Sequence, residues 1–155
     1  MNNWFECTAK YVKMDENGRE KRVAETYLLD AVSFGEAETR MYKELETMVS
    51  GEFSVSKIQK SNISEIIPSN IGDRWFKGKV SFIIVDEETG KEKRTVQNVL
   101  VFAETVEQAD KNIKEAWDGI MAPFEITAII ESKILDVFPY VEEPKAVKAN
   151  FSIEG

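Results

Sequence analysis

The chain has 155 residues, 43% of them hydrophobic and 31% charged, with a formal net charge of −8. That length buries a sizeable core without help from a metal or disulfide, and the acidity disfavours indiscriminate binding to phosphate backbones or anionic membranes. Histidine is absent and Cys7 is the only cysteine, which excludes Ser-His triads, histidine-rich metal sites, intramolecular disulfides and thiolate clusters within one chain.

Residues 4–14 alternate, with Phe5, Cys7, Ala9 and Tyr11 on one face, the period of a half-buried strand. DENG at 15–18 is a turn signal leading into a second strand over about 20–30. Ser33 and Glu36 fit a capping box, in which the hydroxyl takes an orphan amide and the carboxylate reaches back to the cap. Behind them Ala37, Met41, Leu45 and Met48 lay an apolar stripe along a helix ending near Gly51. A third strand follows from Phe53 to about Lys60, then a short fourth over Ile63–Ile67, closed by Pro68. Residues 69–74 read as a linker, too short to let its flanks move far apart.

The same order then returns. Trp75-Phe76 repeats Trp4-Phe5, Glu92-Lys93-Arg94 repeats Glu20-Lys21-Arg22, and Thr105 with Gln108 repeats the capping box. Ala109, Ile113, Trp117 and Ile120 repeat the helix stripe, ending before Pro123. Phe124 to Glu131 and Ile134–Phe138 repeat the last two strands, with Pro139 in the place of Pro68. The chain therefore reads as α+β, a tandem duplication of a ββαβ(β) unit over 3–68 and 75–139. Each antiparallel hairpin carries one packed helix, and the two units sit in a pseudo-twofold arrangement. The tail, 140–155, reads as partly ordered, with Phe151 and Ile153 able to dock as a final strand. The second face of each hairpin also bears large residues, Trp4, Val12, Trp75, Ile83 and Val85, which need cover. Three arrangements supply it: the two sheets stack with helices outside, they join edge to edge, or a homodimer covers the face.

No phosphate-binding glycine loop is present. The paired carboxylates Asp15/Glu16 and Asp86/Glu87/Glu88 sit in hairpin turns and lack the spacing of a calcium loop. No catalytic, cofactor or metal residues are assigned, and no cofactor is expected. The residues that offer a binding surface are Trp4, Arg19, Lys21 and Arg22 in the first copy and Trp75, Lys91, Lys93 and Arg94 in the second. Aromatic and basic groups on one sheet suit single-stranded nucleic acid. Against this stand core packing of the tryptophans and cross-strand pairing of the charges. Glu36, Glu38, Glu44 and Glu46 make the first helix acidic, a solvated face or a protein-docking one.

The WFE start, the stretch Gly51–Ile58, Asp73-Arg74-Trp75-Phe76-Lys77 and Asp136-Val137-Phe138-Pro139-Tyr140 resemble a small family catalogued as a domain of unknown function. It is similar to proteins of Bacteroides-type gut bacteria and of their phages and mobile elements. The resemblance covers roughly 3–140 and implies no activity or site residue. The resulting expectation is a non-catalytic protein-binding or adaptor module, monomeric or homodimeric; the alternative is a single-stranded DNA- or RNA-binding protein. The N-terminus shows no signal peptide and no run of 18 apolar residues occurs, so the expected compartment is the cytoplasm, without a membrane partner.

Overall fold

A computed structural model describes residues 3–139; the expected docking of the tail from Tyr140 onward lies outside the described residues. The first repeat contains β1 (Trp4–Met14), β2 (Glu20–Asp30), α1 (Phe34–Met48), β3 (Phe53–Lys60) and β4 (Ile63–Ile67). The second repeats the order with β5 (Arg74–Val85), β6 (Glu92–Ala103), α2 (Val106–Ala116), β7 (Phe124–Glu131) and β8 (Ile134–Phe138). Both helices begin at the expected caps. The Ser33 hydroxyl accepts from the Glu36 amide at 3.1 Å while the Glu36 carboxylate accepts from the Val32 amide at 3.1 Å. Thr105 and Gln108 reproduce both bonds at 3.1 and 3.0 Å. Ser33→Ala or Thr105→Ala is expected to lower the unfolding free energy by about 1 kcal/mol each, measured by urea titration.

The helix ends differ from the sequence reading. α1 stops at Met48, which is exposed, and α2 stops at Ala116, so Ile120 lies beyond the helix and is exposed too. Trp117 is the C-cap of α2. Its ring packs against Phe82 and Phe124, with centroids 5.2 and 5.6 Å away, and its Nε1 donates to Glu65 at 2.9 Å. Its amide still donates to the Ile113 carbonyl at 3.1 Å, but its backbone has left helical geometry, and Gly119 completes the turn with φ +89°. The linker is also one residue shorter than read, because Arg74 opens β5. Within it Gly72 lies against the end of β6, where an added Cβ would fall 2.9 Å from the Ala103 backbone.

Each sheet has four strands, in the orders β3-β1-β2-β8 and β4-β6-β5-β7. The fourth strand of each repeat therefore sits in the other repeat's sheet. β8 runs parallel to β2, with Leu28 opposite Val137, and β4 runs parallel to β6, with Leu100 opposite Ile66. Two serines build the crossings. Ser61 donates its amide to the Trp4 carbonyl at 2.8 Å, and its hydroxyl accepts from the Ile63 amide at 3.2 Å. Ser132 does the same with Trp75, at 2.9 Å, and Ile134, at 3.1 Å. A hydroxyl that takes the amide two residues on turns the chain sharply, and each turn delivers it from one sheet to the other. The repeat read from sequence and the unit in space thus differ by one strand.

Three apolar clusters follow from this topology. Phe5, Cys7, Ala9 and Leu29 pack beneath Ala37, Met41 and Leu45 of α1. Phe76, Val80, Val99 and Val101 pack beneath Ala109, Ile113 and Trp117 of α2. Where the first unit has Cys7 the second has Gly78, and a Cβ there would meet the Ile113 side chain at 2.9 Å; the larger helix residue occupies the space that glycine leaves. The third cluster joins the units: Trp4, Leu28 and Ile134 from one sheet meet Trp75, Leu100 and Ile63 from the other. The sister sheet therefore covers the second face, with the helices outside. Its cover stops short of the hairpin ends, where Val12, Met14 and Val85 are exposed.

Candidate functional site

The eight residues proposed as one surface divide into two groups. Trp4 and Trp75 are 5% and 8% exposed and belong to the contact between the sheets. They offer no stacking platform, and the aromatic half of the expected surface is corrected on that ground. The basic residues lie at the opposite end of the strands. Arg22 pairs with Val12 and Arg94 with Ile83, which places each about 26 Å of strand from its tryptophan. Neighbours in sequence also part, because alternation sends Lys21 and Arg22, or Lys93 and Arg94, to opposite faces.

Of these basic groups only Arg94 makes an ion pair among the described residues, with Glu125 at 3.6 Å, and it also donates to the Ser81 hydroxyl at 3.4 Å. Both partners of the ion pair are more than half exposed, so the pair adds little stability. Lys10, Lys13, Arg19, Lys21 and Arg22 make no ion pair among the described residues. Asp15, which the sequence places among them, instead accepts the Asn17 and Arg19 amides at 2.9 and 2.8 Å and so shapes the turn. At the root of this hairpin a groove of about 530 Å³ is lined by Lys10, Tyr11, Arg22, Val23, Glu52 and Phe53.

Both hairpins project as two-stranded ribbons. β3 pairs with β1 only as far as Tyr11, and β8 reaches β2 only from Thr26. In the second unit β7 pairs as far as Phe82 and β4 from Asn98. Beyond these points neither ribbon has a third strand. Ile84 and Val85 are 51% and 54% exposed on the second one, and Val96, opposite Ser81 at its base, is 52% exposed. Sequence reading missed this concentration: it sorted Ile83 and Val85 with the residues needing cover, and the covering sheet does not reach so far.

One polar cluster was not foreseen. Glu25 accepts the hydroxyls of both Tyr11 and Tyr27, the latter at 3.0 Å. Burial first, then the Glu25 hydrogen bond and charge, push the Tyr11 phenol up to about 12 and drive Tyr27 higher still. An acid whose folded value is raised gives up its proton more readily when unfolded. Its contribution to stability is therefore full below pH 10, the ordinary tyrosine value, and is lost as pH rises through about 12. Absorbance titration at 295 nm is expected to show Tyr11 and Tyr27, assigned with Phe variants, ionising well above pH 10. Glu25→Gln is expected to lower the Tyr11 value; ionisation of both near pH 10 in the parent chain would contradict the arrangement. The Cys7 thiol is likewise pushed up to about 11 by burial and by the charge of Glu6, which favours the protonated form.

Among the described residues no three of the Cys, Asp and Glu side chains cluster to hold a metal ion. No helix among them is long and apolar enough to cross a membrane. The fold defines a duplicated α+β protein with two four-stranded sheets and reciprocally exchanged strands. The chain belongs to the family described as Domain of unknown function (DUF4494), whose model matches residues 3–140. No curated protein and no solved structure matches it.

Proposed function

We propose that the chain is a non-catalytic protein-binding module whose contact surface includes the projecting hairpin of the second unit. The observation that supports this most is the apolar ribbon end. Single exposed apolar residues are ordinary on a protein surface, but Ile84 and Val85 are exposed on the two faces of one unsupported ribbon end, and Val96 is exposed at its base, opposite Ser81. Such a cluster in a soluble chain marks a contact with another macromolecule. A setting in Bacteroides-type bacteria or their phages and mobile elements belongs to the same reading and rests on the sequence resemblance; the cytoplasm is the compartment expected from the sequence alone. The test is recovery from native host lysate, with and without nuclease, using the parent chain and an Ile84→Ser/Val96→Ser variant. One protein recovered despite nuclease and lost with the variant is the expected result. Recovery abolished by nuclease would overturn it.

A single-stranded nucleic-acid reading keeps one supporting observation, the five cations of the first ribbon without ion-pair partners among the described residues. Burial of Trp4 and Trp75 removes the two expected stacking platforms, so binding at this ribbon would rest mainly on phosphate contacts and fall steeply with salt. Lys21→Glu/Arg22→Glu should then abolish oligonucleotide binding measured by fluorescence anisotropy. Unchanged affinity removes this reading.

A further inference from the structure

The two units are copies, but the edge beside the helix is guarded in one and open in the other. β3 and β7 are the edge strands that lie beside the helices, β8 and β4 forming the opposite edges. An edge strand presents unpaired backbone donors and acceptors, which proteins normally guard with lysines or side-chain cover. β3 is guarded in both ways. It carries Lys57 and Lys60, and its Val55 amide donates to the Tyr42 hydroxyl of α1 at 3.4 Å.

β7 has none of these guards. Ala128 and Glu131 stand where β3 has Lys57 and Lys60. Lys114 stands at the position of Tyr42 but turns along its own helix to Asp110, at 2.9 Å. No side-chain hydrogen bond reaches the Ile126 amide among the described residues. What remains is a groove of about 390 Å³ between α2 and the edge, lined by Val106, Glu107, Asp110, Ile126, Ala128 and Ile129. Its apolar side is Ile126, Ile129 and Val106, the last 49% exposed. Its charged side is acidic. Asp110 is already held by Lys114, whereas Glu107 has no ion-pair partner among the described residues.

A helix set beside an open sheet edge is the arrangement in which an extended peptide adds as a strand: the edge supplies main-chain bonds and the groove takes alternate side chains. We propose that this groove takes an extended peptide segment bearing apolar residues and a lysine or arginine, which joins the second sheet beside β7. Glu107 supplies the partner for the cation. The bulge between Lys79 and Val80, filled by the Thr127 hydroxyl bond to the Lys79 carbonyl at 3.2 Å, leaves Ala128–Glu131 as the straight run for pairing. The proposal deepens the protein-binding reading and rests on it, adding the partner's chemistry and mode of attachment.

The probe is a phage-displayed library of random heptapeptides, panned on the full chain, with enriched peptides then synthesised. Three results are expected. Enriched sequences alternate apolar residues and carry Lys or Arg. Glu107→Lys, an exposed change that leaves the fold intact, weakens them roughly tenfold, the scale of one charge-assisted contact. Peptide binding slows amide exchange at Ala128–Glu131. Enriched peptides that are acidic, that ignore Glu107→Lys, or that protect other amides overturn the groove, as does a library that yields no binder. If the lysate partner is still recovered through Ile84 and Val96 while the groove fails, the module reading stands alone; if both fail, neither survives.

Discussion

Leu28→Ala is expected to lower the unfolding free energy by about 2–5 kcal/mol, the range for a fully buried leucine whose site cannot collapse. Leu28 is 0% exposed and lies in the cluster joining the two sheets, against Trp4, Trp75 and Leu100. The loss is expected to appear in a single denaturant transition that reports both units at once. Each sheet holds a strand from the other repeat, so neither can complete its fold alone. Ile113→Ala, in the second unit's own core, is expected to shift that same transition. Circular dichroism and tryptophan fluorescence measured across a guanidinium series check this. Two separate transitions, with Leu28→Ala moving one and Ile113→Ala the other, would show the units to be energetically independent.

Ile134→Asp is expected to cost about 4 kcal/mol or more, because it places a carboxylate without a partner in an apolar interface. Ile134 is 6% exposed and opens β8, and its register partner is Thr26, far earlier in the chain. Hydrogen exchange gives the sharper reading. Protection is expected to fall first at Thr26–Leu29, the part of β2 that β8 covers, and to persist longer in α2 and β5. Leu135→Asp is the control. Leu135 is 54% exposed, and its change is expected to stay within about 0.5 kcal/mol. Loss of protection confined to the second unit would contradict the exchange of strands.

The elements themselves were legible because each has a local cause. The capping serine and threonine, the turns at Gly18 and Gly90 and the alternation from Phe5 to Tyr11 act over a few residues, and all fall where the sequence puts them. Pairing between strands was less so. Ile63–Ile67 and Ile134–Phe138 are recognisable as strands, but nothing in a run of isoleucines says which sheet receives it. That choice rests on the turns at Ser61 and Ser132 and on the apolar contact they permit between Trp4 and Trp75. The same contact misled the reading of the surface. Trp4 and Arg22 share a sheet face, yet one end of that face is core and the other is solvent. The open edge of β7 emerged only by setting it beside β3, since the missing guards Lys57 and Tyr42 come from different elements.

The exchanged strands also decide what holds the molecule in one piece. The backbone between Pro68 and Arg74 is the only covalent link between the repeats, and Ile71 within it is exposed to protease. A cut there would leave β4 laced into the second sheet and β8 into the first, so the two fragments would stay clasped without a peptide bond between them. The link then acts as a tether: it keeps the two halves at a high effective concentration, and a cut would make their association depend on protein concentration.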